Sequence, residues 1–195
     1  MKNKAFSREL LLKEVVLAML VAVGVVISPI LRVEGMCPMA HLINIVCAVL
    51  LGPWWSLLCA VLIGVIRMLF LGIPPLALTG AVFGAVLSGV SYRLSNGKIL
   101  AACIGEVIGT GIIGAIVSYP VMMLLWNGTG AYNHLTLFFY VPSFIGGTLI
   151  GGTVAFLLLG ALSRCGQLAQ IQKKLGAKVY DHRTAAANTA GRPVA

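Results

Sequence analysis

Residues 99–126 read ILAACIGEVIGTGIIGAIVSYPVMMLLW, and the only charge in this stretch is Glu106. A helix rises ~1.5 Å per residue and a bilayer core is ~30 Å thick, so about twenty apolar residues suffice to cross it. A water-soluble domain has no use for so long an apolar run, and these residues are read as a membrane-spanning helix. Similar runs recur from Val15 to Leu162. With 59% hydrophobic and only 10% charged residues, the chain is an all-α integral membrane protein, and its rare intramembrane polar residues are where function is sought.

Working outward from that run, six transmembrane helices are predicted at roughly 14–31, 39–52, 53–71, 75–94, 99–126 and 137–163. They make one compact six-helix membrane domain over 14–163. It is preceded by a cytoplasmic segment, 1–13, and followed by a cytoplasmic, disordered tail, 164–195. Between the second and third helices, Gly52-Pro53 predicts a tight turn, because proline cannot continue the preceding hydrogen bonding. A net charge of +9 would point to nucleic acid in a soluble protein. Here Lys2, Lys4, Arg8 and Lys13 precede the first span, and Arg93, Lys98, Arg164, Lys173, Lys174 and Lys178 fall in alternate loops and the tail. That asymmetry satisfies the positive-inside rule with both termini cytoplasmic, and nucleic acid is not an expected partner. No small-x-small cleavage site follows the first run, so it is read as a retained helix rather than a signal peptide. Glycines and serine recur at fourth positions (Gly80, Gly84, Ser88; Gly105, Gly109; Gly147, Gly151), a spacing that lets helix backbones approach closely in lipid.

The five cysteines show neither metal-site spacing nor a disulfide framework, and no metal or cofactor is expected. No Walker-type loop, HExxH or GxSxG occurs, so any ATP used in transport is supplied by another chain. Glu106 must pair, protonate or face water, and Thr110 lies one turn on, on its face. Arg67 is the only basic residue well inside a span. A Glu106–Arg67 pair holding two helices in register and a placement of either group against a ligand cavity are both open. His41 and Asn44 share a face near the outer end of the second helix, where an interhelical hydrogen bond and a ligand contact are again both open. The outer loop after the fifth helix holds Trp126, Asn127, Tyr132, Asn133, His134 and Tyr140, which suit an interfacial belt or a lid stacking on a flat ligand. In the first helix, Ala18 and Ala22 make a smooth patch one turn apart, fit for a partner helix or for internal packing.

Together, the run Cys37-Pro38-Met39-Ala40-His41-Leu42-Ile43-Asn44, the stretch Leu50-Leu51-Gly52-Pro53-Trp54-Trp55, Arg67, and Gly105-Glu106 with Gly109-Thr110-Gly111 resemble the ThiW family over about residues 14–163. One departure is Ala40, where the family pattern leads one to expect glutamine. The family consists of substrate-binding S components of energy-coupling factor (ECF) vitamin transporters. The resemblance implies a six-helix S component that captures the thiamine precursor hydroxyethylthiazole from outside and couples to a T component and ATPase subunits. It also implies that Ala18 and Ala22 face the T component.

The resulting expectation is a multi-pass cell-membrane protein that is a small-molecule capture subunit and not an enzyme. Its substrate-site candidates are His41, Asn44, Arg67, Glu106, Thr110, Trp126, Asn133 and Tyr140. The alternatives are an S component for another vitamin such as thiamine, a stand-alone secondary transporter with Glu106 as proton carrier, and an intramembrane enzyme using Glu106 and His41. The charge asymmetry makes a direct prediction about topology. An impermeant thiol reagent applied to intact cells labels Cys37, near the outer face, in preference to Cys165. Preferential labelling of Cys165 would overturn the orientation.

Overall fold

The computed structural model describes residues 2–30, 36–126 and 135–180, and every regular element among them is a helix. These are α1 (Lys2–Ile30), α2 (Pro38–Leu51), α3 (Pro53–Leu71), α4 (Leu76–Leu94) and α5 (Ile99–Glu106). A π-helical segment (Val107–Gly114) continues α5 into α6 (Ala115–Leu125), followed by α7 (Val141–Arg164) and α8 (Gln167–Lys174).

Among the described residues, five helices are long and apolar enough to cross a membrane: Arg8–Pro29 within α1, then α3, α4, the continuous rod Ile99–Leu125, and α7. The sixth apolar helix, α2, has 14 residues and falls short of that length, spanning ~21 Å against a core of ~30 Å. All of α2 except Met39 is buried, as expected of a helix that is apolar on every side. It forms the centre of the bundle, contacting α1, α3, α4, α5 and α7. The π segment is not legible as such in the sequence. Its glycines, Gly109, Gly111 and Gly114, have no Cβ to resist a wider turn or to hold the neighbouring backbone away.

Gly52 makes the α2–α3 turn by itself, with φ +96°, a conformation that favours glycine, and Pro53 opens α3. The small-residue spacing becomes direct backbone contact. A Cβ added at Gly109 would lie 2.6 Å from Gly84 Cα, and one at Gly114 would lie 2.7 Å from the Gly80 carbonyl oxygen. α4 and the π segment are thus pressed together along the stripe.

Along α1, Leu17, Val21, Gly24 and Ser28 are buried, spaced four, three and four apart on the inward face. Ala18 and Ala22 sit one position further round and are exposed. The helix also runs back through the 1–13 segment to Lys2.

The expectation of a disordered tail over 164–195 is corrected for its first part. Residues 167–174 form α8, whose Leu168 and Gln172 are buried. Gln172 Nε2 donates to the Val49 carbonyl at 2.9 Å and to the Tyr92 hydroxyl at 3.1 Å. Tyr180 meets the Tyr92 ring edge-on, with centroids 5.4 Å apart. Leu168 and Leu175 join the main core beside Leu50 and Leu51. A largely polar sequence whose large aliphatic side chains before Gly176 are Leu168, Ile171 and Leu175 looks like tail, but those spacings make a single inward face. Residues 181–195 lie outside the described residues.

Candidate functional site

Glu106 ends α5 and has no exposed surface. Its Oε1 accepts hydrogen bonds from Asn44 Nδ2 and Thr110 Oγ1, each at 3.0 Å. His41 Nδ1 also lies 3.0 Å from this oxygen. Asn44 Nδ2 donates to the Ala81 carbonyl as well, at 3.2 Å, so the side-chain nitrogen and oxygen can be told apart. Each donor has a simple origin. His41 and Asn44 are three apart and share one face of α2, and Thr110 stands four residues beyond Glu106 on its own rod. α4 makes room for the cluster at Gly84, where an added Cβ would fall on Thr110 Oγ1 and 2.7 Å from Glu106 Oε2.

The Glu106–Arg67 pair that the sequence left open is not formed: the ring that reaches Glu106 is that of His41. The three contacts from α2 and the rod converge on Oε1, and Oε2 is buried without a partner among the described residues, so the guanidinium reaches neither oxygen. Arg67 is 2% exposed; its Nη2 donates to Cys37 Sγ at 3.4 Å, and its Nε is buried without a partner among the described residues.

Arg67, His41 and Thr110 line one cavity of about 110 Å³. It lies where α2 and α4 begin and α3 ends, with Ser143 and Phe144 of α7 closing one side. This is the opposite end of the bundle from α8 and Lys98. Phe144 packs over Gly80, where an added Cβ would be 2.7 Å from its ring. The remaining lining, including Met36, Ala77 and Ala81, is small or apolar. A water needs roughly 10–15 Å³ of such space, and drug-sized ligands occupy roughly 300–1,000 Å³, so this chamber suits a molecule of about one ring.

Among the expected site residues, the structure brings His41, Asn44, Glu106 and Thr110 into one hydrogen-bonded cluster and sets Arg67 across the cavity wall. Asn44 and Glu106 do not line the cavity themselves; they stand behind His41 and Thr110. Tyr140 is buried behind Phe144, its ring 6.1 Å away, and is not part of the wall. Trp126 is 44% exposed at the end of α6 and is likewise outside the wall. Asn133, with Asn127, Tyr132 and His134, lies outside the described residues. Sequence reasoning missed Phe144 and Ser143; the available signal was Gly80, whose missing side chain accommodates the Phe144 ring.

A larger hollow of about 510 Å³ runs between α1 and α3, lined by Ala18, Ala22, Leu62 and Ile66, with Glu14 as its one charged residue. Its almost wholly apolar walls offer nothing to orient a polar ligand.

A bundle of membrane-spanning helices around a small, mostly apolar chamber with a few polar side chains in its wall is an architecture suited to holding a small molecule. The family model described as thiamine-precursor transporter protein (ThiW) matches residues 15–165, and the chain belongs to this family. It is therefore a multi-pass membrane protein of a transporter family, not of an enzyme family. No curated protein and no solved structure matches the chain.

The notch at Gly84 yields a test of the cluster. Gly84→Ala forces Thr110 and Glu106 off their positions and costs about 1–3 kcal/mol, as overpacking of a close contact does. Thermal unfolding in detergent should show a clear fall in midpoint for this variant. An unchanged midpoint would mean that α4 does not press on the carboxylate.

Proposed function

We propose that this chain is the substrate-capture (S) subunit of an ECF-type ATP-driven importer, and that its ligand is the thiamine precursor hydroxyethylthiazole. The observation that carries the ligand reading is the cavity: room for about one ring, flanked by the Phe144 ring and by a buried guanidinium with a free donor. Thiamine has a second ring and a fixed positive charge. In a low-dielectric wall, Arg67 repels such a cation, whereas a neutral thiazole alcohol brings acceptors to it.

The S-subunit reading places six helices across the membrane with both termini cytoplasmic. In support, Lys98, Lys173, Lys174 and Lys178 gather at the end of the bundle closed by α8, away from the cavity. That end faces the cytoplasm, and the cavity faces outward. The short α2 crosses with help: α8 lies beneath its inner end through the Gln172–Val49 bond and adds thickness there. Energy comes from partner ATPases, consistent with the lack of a nucleotide-binding loop in the sequence. The exposed Ala18 and Ala22, beside the α1–α3 groove, are the surface for the T component.

Two measurements test this reading. In a competition assay on purified protein, hydroxyethylthiazole outcompetes thiamine by about tenfold or more, the equivalent of ~1.4 kcal/mol. Equal or tighter binding of thiamine refutes the neutral-ligand reading. Separately, Ala18→Leu with Ala22→Leu blocks assembly with the T component by holding the helices apart, while ligand binding by the isolated chain survives. Loss of binding with assembly intact would show that these alanines serve the bundle alone.

A further inference from the structure

We propose that Glu106 is a positioning residue: it fixes the proton of His41 on Nδ1, so that the His41 ring presents a bare acceptor, Nε2, to the cavity. The ligand must then carry a hydrogen-bond donor. The inference rests on the thiazole-alcohol reading for the identity of the ligand, but the lock itself does not.

Glu106 Oε1 sits among three groups, and two of them, Asn44 Nδ2 and Thr110 Oγ1, donate to it. Asn44 can only be donating, because the same nitrogen also reaches the Ala81 carbonyl. An oxygen already accepting from two neighbours is an acceptor for the third, so His41 Nδ1 carries its hydrogen toward Glu106. A neutral imidazole has one N–H, and spending it on Glu106 leaves Nε2 with a lone pair. Nε2 has no hydrogen-bond partner among the described residues, and the ring lines the cavity. An imidazolium would donate from both nitrogens. It would also add a positive charge to a wall that already holds Arg67, whereas a neutral ring leaves Glu106 and Arg67 as one charge of each sign.

Arg67 also lines the cavity, but its Nη2 is engaged by Cys37 Sγ and its Nε is buried, so the requirement argued here is the one His41 sets. A thiazole alcohol meets it: its hydroxyl donates to His41 Nε2. The corresponding methyl ether keeps every acceptor but loses the donor, and the 5-ethyl analogue loses the hydroxyl altogether. Either leaves the Nε2 lone pair unmatched.

The experiment has a ligand-free arm and a ligand arm. With ¹⁵N-histidine-labelled protein, His41→Gln assigns the His41 signals among the three histidines of the chain. The expected spectrum shows Nδ1 protonated and Nε2 bare; a protonated Nε2, alone or with Nδ1, overturns the lock. In the ligand arm, hydroxyethylthiazole binds roughly tenfold or more tightly than its methyl ether and its 5-ethyl analogue, the scale of one unmatched buried polar group. Glu106→Gln keeps a side-chain oxygen for Nδ1–H and preserves that preference, whereas Glu106→Leu removes the acceptor and erases it. If Glu106→Leu does not fold, the wild-type spectrum and analogue series decide. Alcohol and ether binding equally well overturns the donor requirement. If neither binds while the spectrum shows a bare Nε2, the lock stands and the thiazole assignment falls.

Discussion

A carboxylate with no exposed surface inside a membrane bundle must be given donors to replace the water it has left; Glu106 receives them at Oε1, while Oε2 has no partner among the described residues, and that convergence organises much of this molecule. Three donors converge on one of its oxygens, two of them from α2, so the orientation of the central helix about its axis is tied to the charge. Turning α2 by one residue would carry His41 and Asn44 off this face together. The cluster also ties α2 to α4, through the Ala81 carbonyl that shares the Asn44 amide. Buried polar networks of this kind are costly when broken, because each stranded group keeps its full desolvation penalty.

The apolar packing is arranged to let that network form. Gly84 leaves space for the carboxylate and for Thr110, and Gly109 and Gly114 bring the π segment against the α4 backbone. Gly80 does the same for Phe144, which turns one glycine stripe into both a helix contact and one side of the chamber. In lipid there is little hydrophobic gain from pressing helices together, so close backbone contact and shared hydrogen bonds must hold them. The stripe therefore serves adhesion and site construction at once.

The two ends of the bundle are built differently. At one end, α8 and Tyr180 cover the ends of α2 and α4 through the Gln172 hydrogen bonds and the Tyr92–Tyr180 contact. At the other, the short α2 begins at Pro38, and its first turn, with Arg67 and Phe144, encloses the chamber. Of the two ends of this 14-residue helix, one is covered by the docked amphipathic α8 and the other borders the cavity.

The sequence by itself determined the long apolar helices, the membrane class and the family, because these follow from one-dimensional signals: run length, apolar content, and a set of motifs at characteristic spacing. It also singled out Glu106, Arg67, His41 and Asn44, since a polar residue in an apolar run is conspicuous wherever the run packs. Only the tertiary structure decided how they combine. Whether Glu106 pairs with Arg67 depends on the depth and rotation of α2 and α3, and neither is encoded in the composition of either helix. The same holds for α8, whose Leu168 and Ile171 mean nothing until a core offers them a surface, and for Phe144, an ordinary apolar residue until Gly80 brings it to the cavity. Local sequence sets what each segment can be, whereas partner choice is a property of surfaces that meet only when the chain is folded.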